Sequence, residues 1–102
     1  MKIPNKLKVG GQDVNVEFTN TIIGDKQGTC VLWNGKIKLA EIYRGVPQTH
    51  SSKFNTFYHE LTHAILDTMG EYELSSNERF VSSFSGFLSE AVRSFEFNEE
   101  QS

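Results

Sequence analysis

The hydrophobic period of this chain changes once, near Pro47, and that change limits its architecture more than any other feature. Before Pro47, apolar and polar residues alternate, as in the VNVEF of Val14–Phe18, the signature of a strand with one buried face. After Pro47, apolar residues recur about every 3.6 positions, as on a helix with one buried stripe. A chain of 102 residues has room for one core, so both halves must share it. The expected fold is α+β: a single domain over residues 1–102, with a small antiparallel sheet of two N-terminal hairpins packed on two antiparallel helices.

Turn chemistry marks the elements. Lys6–Val9 and Val14–Phe18 flank Gly10-Gly11 and predict the first hairpin. Cys30–Trp33 and Lys36–Ala40 flank Asn34-Gly35, a dipeptide that favours the positive φ angles of a type I′ turn, and predict the second. The GDKQGT segment between them reads as a polar loop. In the second half, Ser51 or Ser52 can cap a helix with apolar positions Phe54, Phe57, Leu61, Ala64 and Ile65, ended by Gly70. A second helix is expected from about Ser76 to about Phe95, its stripe formed by Phe80, Val81, Phe84, Phe87, Leu88, Ala91, Val92 and Phe95. The short link from Gly70 to Ser75 makes the two helices antiparallel neighbours. Eight phenylalanines are the expected filling of so small a core.

Charge and cysteine usage narrow the function classes. The formal net charge is −3 with Lys and Arg scattered, so no basic stripe points to nucleic acid as a partner. No apolar run has the length of a signal peptide or membrane span, which predicts no membrane partner and a cytoplasmic, reducing compartment. The single cysteine, Cys30, excludes an internal disulfide and a multi-cysteine zinc cluster, and reads as a half-buried strand thiol. Glu96, Glu99 and Glu100 read as a solvated tail.

Chemistry concentrates in Phe57–Asp67, FYHELTHAILD, which holds two of the three histidines. His59 and His63 are four residues apart and project from one helical face, where two imidazole nitrogens can hold one tetrahedral Zn²⁺. Glu60, rotated by about 100° from His59, stands where a general base can reach a water on the metal's open side. A catalytic zinc needs a third protein ligand. His50, Glu71, Glu73, Glu78 and Glu90 are the candidates, and Glu78 is the best placed because it opens the second helix just beyond the short link. Ser75-Ser76-Asn77-Glu78 also spells a capping box, so Glu78 has a purely structural use as well. Asp67, one turn beyond His63, can orient a ligand imidazole or face water. Thr62 and Asn77 are further candidates for that role.

With these residues in place, HELTHA followed by Asp67 resembles the active-site helix of the thermolysin-like gluzincins. The short chain is more similar to small intracellular H-E-x-x-H peptidases, including the ImmA/IrrE-like and the phage- or prophage-encoded ones. The resemblance covers chiefly residues 30–90, with a shorter gap between His63 and Glu78 than in thermolysin-like enzymes. It implies a minimal zincin-like domain with His59, His63 and Glu78 as zinc ligands and Glu60 as catalytic base. It also implies zinc-dependent hydrolysis of a peptide bond in a peptide or specific protein substrate. For the oxyanion donor, Tyr72, His50, Tyr58 and Arg79 are the candidates, and Lys36–Glu41 is the strand edge on which an extended substrate would pair. Two other uses stay open on sequence: a metal-stabilised module that binds a peptide without cutting it, and a zinc hydrolase of a non-peptide amide.

Overall fold

A computed structural model describes residues 1–99. Six strands precede three helices: β1 (Lys6–Val9), β2 (Gln12–Thr19), β3 (Gly28–Val31), β4 (Lys36–Ala40), β5 (Ile42–Tyr43), β6 (Val46–Pro47), α1 (His50–Met69), α2 (Tyr72–Ser75) and α3 (Glu78–Arg93). The α+β class and the change of structure at Pro47 hold. Both expected hairpins form, with β1 antiparallel to β2 and β3 antiparallel to β4. They are joined differently from the antiparallel sheet expected. The order is β1-β2-β4-β3, and β2 runs parallel to β4, with Val16 opposite Ile37 and Phe18 opposite Leu39. The sheet is therefore mixed.

Burial explains the order. Ile37, Leu39 and Ala40 in β4 are fully buried, whereas every residue of β3 is only half-buried. The more apolar strand takes the centre, and GTCV takes the edge. This overturns the expectation that Lys36–Glu41 offers a free edge. The Asn34-Gly35 turn also differs: Leu32–Asn34 form a short 3-10 turn closed by Gly35 at φ 63°. Gly35 is confined there, because a Cβ would lie 2.5 Å from the Asp13 carbonyl oxygen. Trp33 consequently leaves the strand and is exposed.

α1 lies across one face of the sheet. Val9, Val14, Val16, Ile37 and Leu39 meet Phe57 and Ala64 in the core, with Leu61, Tyr58 and Cys30 at its margin. Thr49, rather than Ser51 or Ser52, caps α1 by accepting from the Ser52 amide at 3.1 Å, and Gly70 ends it in a left-handed conformation. α3 is shorter than expected, and Asn77 caps it by accepting from the Phe80 amide at 3.1 Å. The Ser75–Glu78 capping box does not form. Ser89 Oγ donates to Asn55 Oδ1 at 2.8 Å, near the start of α1 and the end of α3, while Glu78 meets His63. The two helices are therefore antiparallel.

The face that α3 buries is only partly the one expected: Val81 of the expected stripe is fully buried, and Phe80, Leu88 and Val92 are half-buried. Val81, Ser85 and Ser89 are buried, while Phe84, Phe87 and Phe95 are 49%, 73% and 58% exposed. Small residues pack on α1 and most of the phenylalanine stripe turns outward. Glu96 and Glu99 are exposed, and Glu100 lies outside the described residues. Among the described residues, no helix is long and apolar enough to cross a membrane.

Candidate metal centre

The candidate site lies between α1, α3 and the edge strand β3, in a cleft of about 1140 Å³. α1 supplies His59, Glu60, His63 and Asp67 to its lining, β3 supplies Gly28 through Val31, and α3 supplies Glu78, Ser82, Ser85 and Gly86. Helical spacing sets His59 and His63 one turn apart, with ring centroids 5.0 Å apart and planes at 67°. The eight-residue linker, 70–77, with its single turn α2 then returns the chain so that the first residue of α3 meets both rings.

Glu78 Oε2 is 3.2 Å from His59 Nε2, and Glu78 Oε1 is 3.1 Å from His63 Nε2. The three groups offer ligand atoms that all lie within 4.8 Å of one another, so they could hold a metal ion. For bonds of about 2.0–2.1 Å in a tetrahedron, neighbouring donors stand about 3.3–3.4 Å apart; the two nitrogen–oxygen distances here are of that size and end on the two different oxygens of the Glu78 carboxylate. The chemistry of the donors supports the fit. His63 Nδ1 is 3.1 Å from Ser75 Oγ. With Nδ1–H donating to Ser75, the Nε2 lone pair faces a carboxylate oxygen, an arrangement that a cation or a proton between them relieves. Burial holds His59 below the usual imidazole pKa, against the opposing pull of Glu78, so His59 favours the neutral, ligating form.

Glu60 is 9% exposed and lines the same cleft. Burial pushes its carboxyl up to about 7; His63 and Lys26 oppose that shift and Glu78 adds to it. Gly28 permits the close approach of β3 at this point, since a Cβ there would lie 2.6 Å from Thr56 Cγ2 and 3.2 Å from Glu60 Cγ. Cys30 faces the cleft as a passive thiol, pushed up to about 12 by burial and by the neighbouring carboxylates of Glu60 and Asp67.

Other sequence candidates lie elsewhere. His50 is exposed, with Nε2 2.8 Å from the Met1 carbonyl oxygen, and does not join the cluster. Glu71, Glu73 and Glu90 do not line the cleft. Asp67 lines it, yet the partner of His63 is Ser75. Thr62 donates to the Tyr58 carbonyl, and Asn77 serves as the α3 cap. Tyr72, Tyr58 and Arg79 are absent from the cleft wall; Tyr58 packs against the rings of Phe54 and Phe57.

The polar donors along the cleft include Lys26, Tyr43 and Asn55, which sequence reasoning missed. Lys26 belongs to the GDKQGT loop. Tyr43 belongs to the small β5–β6 hairpin, whose turn residue Arg44 has φ 52° and bonds to Asp25 through its amide and its guanidinium. That contact joins loop and hairpin at the mouth of the cleft. The only local signal for it was the polar, glycine-containing composition of the loop.

No protein-family model matches this chain, and neither the curated proteins nor the solved structures include a detectable relative.

Proposed function

We propose that this protein is a zinc-dependent peptidase acting on an extended segment of a peptide or protein substrate. The observation that carries the reading is the convergence of His59, His63 and Glu78 in one open cleft, with the carboxyl of Glu60 beside them. A structural zinc site is closed by four protein ligands, and a catalytic one keeps a position open. Among the described residues, the cluster contains three ligating side chains. The single cysteine and the absence of a long apolar helix among the described residues are compatible with a cytoplasmic setting.

His59, His63 and Glu78 would hold the metal, which when bound supplies Lewis acidity toward the substrate carbonyl and toward water. Glu60 takes the proton from the attacking water and returns it to the leaving amine. A carboxyl raised by burial to about 7 is suited to both transfers near neutral pH. Ser75 holds the His63 ring in orientation. The substrate chain would lie along β3, the sheet edge that lines the cleft, by adding a strand through backbone hydrogen bonds. Lys26, Tyr43 or Asn55 would orient the carbonyl, the role expected at sequence level for Tyr72 or His50.

The test combines metal analysis and hydrolysis on the purified protein. The parent should bind one zinc and cleave a susceptible peptide from a substrate library. Glu60→Gln should keep the zinc and lose cleavage, and Glu78→Ala should lose the zinc. Full hydrolysis by Glu60→Gln, or unchanged metal content in Glu78→Ala, would overturn the assignment. Zinc binding with peptide capture but no cleavage would favour the non-catalytic peptide-binding module.

A further inference from the structure

The ridge of α1 that carries the two imidazoles continues one turn further toward the start of the helix. Asn55, His59 and His63 follow at spacings of four residues, so they share one helical face, and all three line the cleft. Asn55 is held by α3: Ser89, 1% exposed, donates to Asn55 Oδ1 at 2.8 Å. With that oxygen engaged, what the amide has left to offer the cleft is its Nδ2–H pair, a donor only.

Lys26 stands at the same end. Its loop is tied to the first turn of α1, since Gln27 Nε2 donates to Gln48 Oε1 at 3.2 Å and Ser52 Oγ donates to the same oxygen at 2.7 Å. Among the described residues, Lys26 is the one lysine or arginine that lines the cleft, and no carboxylate pairs with it. Its neighbour Asp25 is taken by Arg44, with Nε and Oδ2 3.4 Å apart. The charge of Lys26 is nevertheless felt at the Glu60 carboxyl.

The cleft is thereby divided by charge. Glu60, Glu78 and Asp67 stand at the metal centre and beyond it, toward the C-terminal end of α1. Lys26 and Asn55 stand before it, a cation and a fixed amide donor that no protein carboxylate satisfies. Donors of this kind suit a carboxylate, whose two oxygens accept strongly from charged and amide N–H groups. We propose, resting on the peptidase reading of this cleft, that Lys26 and Asn55 bind a carboxylate of the substrate, either an acidic side chain or the C-terminal carboxylate of the peptide. Asn55 lies about 6 Å along the helix from His59, a distance that an extended chain covers in about two residues. The carboxylate therefore belongs about two residues from the scissile bond. Tyr43 then remains for the scissile carbonyl.

Binding tests this apart from turnover. Zinc-loaded Glu60→Gln, which should hold peptides without cutting them, is titrated calorimetrically with N-acetylated alanine-based peptides. These carry glutamate, glutamine or lysine at one position, each made as the free acid and as the C-terminal amide. A carboxylate should improve affinity about fivefold or more over its neutral counterpart, and the advantage should shrink with added salt. Glutamate preferred over glutamine in the amidated series identifies the side chain as its source; free acid preferred over amide identifies the C-terminus. In the same background, Lys26→Glu should turn the preference toward the lysine peptide, and Asn55→Asp should remove most of it. Zinc content and circular dichroism should be unchanged in both. Equal affinity for acidic and neutral peptides, or a Lys26→Glu variant that keeps the original preference, overturns the carboxylate subsite and leaves the peptidase reading standing. A zinc-loaded protein that binds none of the peptides overturns that reading, and the subsite with it.

Discussion

At Glu60 the needs of the fold and of the proposed chemistry oppose each other, and the conflict can be measured without any substrate. The residue is 9% exposed, and burial raises its carboxyl from 4.5 to about 7. Between those two values the folded chain keeps a proton that the unfolded chain has released. Stability is therefore fully present below about pH 4.5 and falls as pH rises through about 7. At about 1.4 kcal/mol per pH unit, that span amounts to at most about 3.5 kcal/mol. Glu60→Gln substitutes a neutral group of nearly the same shape and removes this pH dependence. In protein kept metal-free with a chelator, the variant should match the parent at about pH 4 and exceed it by about 1–3 kcal/mol at about pH 8. The lower figure allows for a buried amide with incomplete hydrogen bonding. Urea unfolding across this pH range reads the difference directly, and the titration of His59 is common to both proteins and largely cancels. Parallel stability curves for parent and variant would show that the Glu60 carboxyl is well solvated, and the reasoning that makes it a tuned base would fail.

Three further outcomes follow from the same geometry. Ser75→Ala removes the oxygen 3.1 Å from His63 Nδ1 and should lower zinc affinity about 10- to 100-fold, with recovery in Ser75→Thr; equal affinities in a competition titration with a chromophoric chelator would refute the orienting role. Gly28→Ala introduces a Cβ 2.6 Å from Thr56 Cγ2 and should destabilise the fold by about 1–3 kcal/mol. Thermal unfolding should show much of that loss recovered when Thr56→Ser is added, and no recovery would place the clash elsewhere. Cys30, pushed up to about 12, should react with a thiol reagent at mildly alkaline pH far more slowly than in the urea-unfolded chain; similar rates would contradict its burial.

What could be read from the sequence was mostly local. His59 and His63 share a face because four residues make about one helical turn, and Glu78 was within reach because the link after Gly70 is short. Both inferences needed only helical spacing and chain length. The β3–β4 pairing was legible for the same reason, whereas the parallel pairing of β2 with β4 was not. Nothing in VNVEF specifies its second neighbour, and only the relative burial of KIKLA and GTCV orders the sheet. Ser75 was hidden because the S-x-x-E pattern offered it a capping role that Asn77 fills. Tyr72, His50, Tyr58 and Arg79 were chosen for closeness to the motif in sequence, but the cleft is walled by a loop and a hairpin from before α1. On α3 the amphipathic pattern was correctly seen and the buried side only partly assigned, since Val81 is buried while Phe84, Phe87 and Phe95 are not. Burial on α1 selected Val81, Ser85 and Ser89, a choice that depends on how close two helices must come.

That closeness explains the inner face of α3. The helix must present Glu78 to two imidazoles on α1 while leaving a cleft open beside them, so the side turned to α1 cannot carry bulky residues. Ser82, Ser85 and Gly86 keep that wall low, and the Ser89–Asn55 hydrogen bond joins the far ends of the pair. Small side chains bury little apolar area, so this packing contributes less stabilisation than a leucine-filled interface would. The small, polar inner side of α3 then has one physical cause, a helix that must bring Glu78 to the two rings without filling the space in front of them.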